Sequence, residues 1–265
     1  MKINGFVFIS VAVMMVFYTT INHAGPSWTH EEQVTWGAIE DTTQTEVPKM
    51  YPYAECSIGN HQSPVDLATA EINQTKNLNR LRIWYDVDDK PVFFNSGHGV
   101  QVNTSLDYTG QLEIGDEVFP LIQFHFHAPS EHVVGEKKFA AELHYVHVRE
   151  DGRLVVLAVG IDEGEKNGTF QTILDNMPRE PEGRNENTGI SINPESLLPH
   201  NHHKPEFLSL SGSLTTPPCS EGVQWYFLTE IVTASAEQLE QLRGFYNNNV
   251  RSVQDLNGRV VSSTK

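Results

Sequence analysis

At 265 residues, with no internal repeat and no low-complexity linker, the chain is long enough for one large domain with a substantial core. Its 34 acidic residues against 18 basic ones give a formal charge of −16, which excludes nucleic acid and anionic lipid as partners because both need clustered positive charge.

Lys2 precedes an apolar run from Phe6 to Tyr18 broken only by Ser10. That run is short for a membrane span and suited to a secretory signal over residues 1–24, with Ala24 last before cleavage. Asn22 stands where a small residue is preferred, so an uncleaved N-terminal anchor is the alternative. Either way a domain over residues 25–265 is expected outside the cytoplasm, periplasmic or secreted, and the mature domain is expected to have no membrane partner. Cys56 and Cys219 are then either bridged or two buried free thiols, and export favours the bridge.

Downstream the chain reads as strand-rich. Pro91–Phe94, Gly99–Val102, Val118–Phe126, Leu143–Val148 and Leu154–Ile161 are short β-branched or aromatic runs separated by turn signals such as Ile114-Gly115-Asp116 and Glu150-Asp151-Gly152. Helices are few: one over Thr169–Asn176 stopped by Pro178, and one over Ala234–Tyr246 with Ser235 as its cap. The polar stretch Arg179–Gly189 predicts an exposed loop, and His200, His202 and His203 sit in a Pro-bounded segment where a second metal is the less favoured reading.

The densest chemistry lies in Gln123-Phe124-His125-Phe126-His127 and, 17 residues beyond His127, in Ala140-Ala141-Glu142-Leu143-His144. Side chains alternate faces along a strand, so His125 and His127 share one face while Phe124 and Phe126 enter the opposite layer. A lone HxH pair is more often surface or hydrogen-bonded core histidine than ligand. Here Gln123 and Glu142 each stand two residues before a histidine on the same face, where an amide or carboxylate holds the second ring nitrogen and fixes the tautomer. Three neutral imidazoles with a fourth position open describe a catalytic zinc site rather than a structural one.

Taken with Gln62-Ser63-Pro64-Val65-Asp66, Asn95-Ser96-Gly97-His98, Ser130-Glu131-His132, Gly212 to Cys219 and Asn249-Val250-Arg251, these motifs resemble the α-class carbonic anhydrases, in that family's order and from about residue 28 onward. The resemblance implies a mainly β, single-domain fold around a large twisted, mostly antiparallel central sheet with short surface helices. It implies Zn2+ held by His125, His127 and His144, with Gln123, Glu142 and Asn249 supporting the ligands, and attack on carbon dioxide by zinc-bound hydroxide. Thr215 and Glu131 would orient the nucleophile, and His98 would shuttle the proton to solvent, although a plain turn histidine would also fit there. Val146, Ala158, Leu214, Thr215, Thr216 and Trp225 would line the pocket for carbon dioxide and bicarbonate. A Cys56–Cys219 bridge would hold the loop that carries the Thr215-Thr216 pair.

Two positions depart from the pattern: Ala38 replaces a tyrosine that follows Trp-Gly, and Ala158 replaces a large pocket valine. Two rival readings are a cupin-type metal enzyme using His125, His127 and Glu131, and a non-catalytic module of the same fold. Oligomeric state is left open, a homodimer included.

Overall fold

The computed structural model describes residues 25–43, 48–68, 72–74, 80–86, 88–135, 137–186 and 188–264. The expected signal segment, residues 1–24, lies outside the described residues. In chain order the strands are β1 (Ile72–Gln74), β2 (Leu81–Trp84), β3 (Val92–Asn95), β4 (Val100–Asn103), β5 (Gln111–Ile114), β6 (Glu117–His127), β7 (Ala141–Val148), β8 (Leu154–Glu163), β9 (Arg184–Asn185), β10 (Phe207–Ser213), β11 (Glu221–Leu228), β12 (Val232–Ala234) and β13 (Val261–Ser263). They form one 13-stranded sheet along β1-β13-β10-β11-β8-β7-β6-β4-β3-β9, with β5 also on β6, β2 on β5, and β12 on β8.

Pairing is mostly antiparallel. Strands β1 and β13, β8 and β11, and β8 and β12 run parallel. The centre of the sheet is buried on both faces, so β7 shows no exposed residue at all. On one face Phe93, Phe124, Phe126, Leu143, Tyr145, Leu157 and Phe170 form the larger apolar layer. On the other, Val146, Val156, Ala158, Leu210, Val223, Trp225 and Phe227 form a smaller one, and His125, His127 and His144 emerge beside it.

The helices are short and peripheral: α1 (Glu55–Ile58), α2 (Gly168–Asn176) and α3 (Ala236–Arg243). Helix α2 starts where Asn167 accepts a hydrogen bond from the Phe170 N–H, and α3 starts in a capping box between Ser235 and Gln238. The stretch read as an exposed loop over 179–189 contributes the two-residue β9, which pairs with β3. Near the start, His30–Ala38 forms a 3-10 helix.

Cys56 and Cys219 are bonded to each other, closing a span of 163 residues. The bridge ties α1 to the turn between β10 and β11, where Leu214 N–H donates to Ser220 O and Cys219 N–H to Thr216 O. In the chain-entropy treatment a loop of that length stabilises the folded state by about 5 kcal/mol. Reducing the bridge is therefore expected to lower the melting temperature by roughly 10 °C, which calorimetry with and without reductant would measure; an unchanged transition would mean that the turn is held by its backbone hydrogen bonds alone.

Candidate metal centre

The antiparallel register of β6 and β7 sets His125 opposite His144, Gln123 opposite Val146, and His127 opposite Glu142. A bulge at Ile122, where the β6–β7 register shifts between Leu121 and Gln123, separates this segment from the start of β6. One ring nitrogen from each of His125, His127 and His144 falls within 4.8 Å of the other two.

What the opposite ring nitrogens do decides which lone pairs are free. His125 Nδ1 lies 2.8 Å from the Gln123 side-chain oxygen, so it carries the proton and donates. His127 Nδ1 donates to the Asn249 carbonyl at 2.7 Å. His144 Nε2 donates to Glu142 Oε1 at 2.7 Å. Three acceptors thus fix three tautomers, leaving Nε2 of His125, Nε2 of His127 and Nδ1 of His144 as bare donors of a lone pair. His127 Nε2 is buried and has no hydrogen-bond partner, a state a protein avoids unless something else takes the lone pair. Burial first, then the mutual repulsion of the three rings, holds His125 well below the usual histidine range, and burial lowers His144 as well. The donor set fits a divalent cation that prefers imidazole nitrogen.

Glu142 anchors this arrangement. Burial would raise its carboxyl, but His132 and His144 outweigh that and hold it far below the ordinary carboxylate range. Its Oε2 accepts the His132 N–H at 2.9 Å, while Oε1 accepts from the His132 ring at 2.8 Å and from His144. Glu131 is equally buried: Oε1 accepts the Arg251 N–H at 2.9 Å, and Oε2 has no partner, standing 3.4 Å from His127 Nε2. No hydrogen bond joins Thr215 to Glu131. Arg251 in turn donates to Gln62 Oε1, Ser63 O and Cys56 O, each at 2.8 Å, and its burial lowers its pKa to about 10.

The three histidines lie in a cavity of about 250 Å³. One wall is apolar, from Val146, Val156, Leu214 and Trp225; the other carries His98, Gln101, Gln123, Thr215, Thr216 and Asn249. Ala158 is not on that wall. It sits fully buried opposite His144 in the β7–β8 register, and Val156, two residues earlier on the same face, supplies the large side chain expected there. A shift of two keeps the face and changes the depth, which spacing alone did not reveal. Ala38, the other apparent departure, is exposed at the end of its 3-10 helix and is not a cavity residue.

Two residues that the motifs did not flag belong near the mouth. Trp28 stacks on His98 with centroids 3.7 Å apart. His30 packs edge-on against Trp28, Trp36 and His98, and burial pushes it down to about 4, with Nε2 lacking a partner. Only the apolar company of Trp28 and Trp36 marked that stretch in the sequence. His98 itself is half-buried and lowered by burial. Asn249 Nδ2 donates to the carbonyls of both His98 and Phe126, so one side chain joins the mouth to the ligand strand.

A large, mostly antiparallel sheet carries three converging imidazoles beside a partly apolar cavity, a donor set suited to one divalent cation. The chain belongs to the eukaryotic-type carbonic anhydrase family, whose model matches residues 43–265. It is 36% identical over 233 residues to a carbonic anhydrase of Pectobacterium carotovorum, covering 87% of this chain and 91% of that one, and 33% identical over 250 residues to one of Nostoc sp., covering 94% and 93%. Among solved structures, the α-carbonic anhydrase of Thermovibrio ammonificans in complex with sulfanilamide superposes with a TM-score of 0.78 at 37% identity, covering 90% of this chain and all of that one. Family and fold set aside the cupin-type reading, and Glu131 is engaged by Arg251 rather than grouped with the three histidines.

Glu142→Leu is expected to strand the His132 and His144 donors in a dry interior, at a cost of about 3 kcal/mol or more. Urea unfolding of the metal-free protein measures this directly; a loss below about 1 kcal/mol would mean that Glu142 is replaceable by a neighbour.

Proposed function

We propose that this protein catalyses the reversible hydration of carbon dioxide to bicarbonate and a proton, with zinc held by His125, His127 and His144. The observation that carries this reading is the convergence of three tautomer-locked imidazoles in a cavity with one dry wall and one polar wall. Bound zinc supplies the Lewis acidity that makes hydroxide available near neutral pH, chemistry for which carbonic anhydrase is itself the reference case.

The chain's own residues divide the remaining tasks. Carbon dioxide carries no net charge, so Val146, Val156, Leu214 and Trp225 receive it by excluding water rather than by pairing with it. Thr215, at the polar edge of the cavity, would accept the nucleophile's proton in a hydrogen bond and, on turning its hydroxyl to Glu131, would donate its own there, an arrangement that would orient the nucleophile's lone pair toward the substrate carbon. Glu131 Oε2 is a suitable acceptor because it is buried and unpartnered while Oε1 is fixed by Arg251. His98 takes the released proton to solvent, with the Trp28 ring as the platform on which its imidazole rests.

A signal over residues 1–24 and a periplasmic or secreted domain complete the proposal. The Cys56–Cys219 bridge supports an oxidising compartment, and no helix among the described residues is long and apolar enough to cross a membrane.

Zinc content and hydration rate of purified His144→Ala test the ligand set: both are expected to be lost, and parent-like values for either would overturn it. Thr215→Ala should keep its zinc and lose at least about tenfold in rate, equivalent to 1.4 kcal/mol in the barrier; loss of the metal instead would make Thr215 a structural support. The shuttle is tested separately, since it acts after bicarbonate has formed. His98→Ala should lower kcat, leave kcat/KM nearly unchanged, and recover part of the loss when imidazole buffer is added. Equal kcat in mutant and parent at low buffer concentration would remove His98 from the reaction.

A further inference from the structure

Away from the cavity, the 3-10 helix Pro194–Leu197 is followed by a loop, His200 to Glu206, that leads into β10. Two turns shape the loop, with His202 N–H donating to Pro199 O at 3.1 Å and Lys204 N–H to Asn201 O at 2.9 Å. The helix is fixed in turn by Asn193, whose side chain accepts the Glu195 N–H, and by the burial of Leu197 and Leu198. The His-rich segment therefore rests on an ordered base.

His202 Nδ1 lies 2.7 Å from Pro199 O, an acceptor with no proton to give, so Nδ1 carries the ring proton. In a neutral ring Nε2 then presents a lone pair, yet Nε2 stands 2.6 Å from Glu195 Oε1, another acceptor. Two lone pairs do not face each other at that distance unless a cation lies between them. A second proton on the ring is one such cation, and a metal ion is the other. The His203 ring lies tilted beside that of His202 with centroids 4.1 Å apart, and one ligand atom from each of Glu195, His202 and His203 falls within 4.8 Å of the other two. A hollow of about 310 Å³ opens beside them, and His202 itself is only 12% exposed. The backbone carbonyl behind His202 stands where ligating histidines place their second nitrogen.

We infer that Glu195, His202 and His203 form a second, non-catalytic site for a divalent zinc-class ion. Two imidazoles and a carboxylate are the donor set that Zn2+, Ni2+ and Cu2+ share, with water completing the shell. Metal–ligand distances near 2.0–2.2 Å require donor atoms about 3.3 Å apart, so Glu195 must withdraw slightly from His202 as the ion replaces the proton. Its side chain is 29% exposed and is not itself part of the helix cap, which leaves it free to do so. Bound there, the ion would cross-link the helix to the loop that feeds β10.

The test is zinc stoichiometry, by equilibrium dialysis of the full chain against micromolar free Zn2+. The parent is expected to hold two equivalents per chain, and His203→Ala and Glu195→Gln one each, with the hydration rate per chain unchanged. His144→Ala is expected to lose the catalytic equivalent and keep the other, which separates this site from the active site. If His202→Ala fails to fold, the His203 and Glu195 variants still decide, because neither side chain caps the helix. A parent that holds a single equivalent overturns the proposal. So does a second equivalent that survives in both the His203 and the Glu195 variants, since the ion would then be adventitious.

Discussion

The register between β6 and β7 is the constraint on which the rest of the molecule depends. With His125 opposite His144, three imidazoles meet; a slip of β7 by one residue would turn His144 toward the Phe124 layer, away from His125 and His127, and bring Tyr145 into the cavity in its place. Register is strongly held because both faces of this pair are buried and each face has its own chemistry. Apolar burial on one side thus specifies ligand geometry on the other.

Register alone places the rings without setting their lone pairs. That is done by Gln123 Oε1, the Asn249 carbonyl and Glu142 Oε1, drawn from β6, the segment near residue 250 and β7. Two of these acceptors sit on the ligand strands themselves and one arrives from far along the chain. Arg251 closes the same circuit by donating its backbone N–H to Glu131 and its guanidinium to Gln62, Ser63 and Cys56. The motifs that look scattered in sequence are one hydrogen-bonded assembly in space.

Much of this was legible from residue order. Strands around the histidines were evident because alternation there is sharp, and Ser235 as a helix cap was evident because capping chemistry is local. The turn around Thr215 and Thr216 was recognisable only through resemblance. Strands β10 and β11 were harder, since Ser209, Ser211 and Gly212 interrupt β10 and its partner comes from β-pairing that leaves no local trace. The pocket valine was misplaced by two residues because a period of two preserves the face while saying nothing about depth. His30 escaped notice for a different reason: its burial is created by Trp28, Trp36 and His98, which meet only after folding.

The hydrogen bonds from Asn249 and Arg251 also set an order of events during biosynthesis. A chain emerging N-terminus first delivers both ligand strands well before residue 249 leaves the ribosome, so for most of synthesis His127 has no partner for Nδ1 and Glu131 has no Arg251 N–H. Until then nothing fixes the tautomer of His127. A chain cut short before Asn249 would therefore carry all three ligand histidines and still lack the acceptor that orients His127.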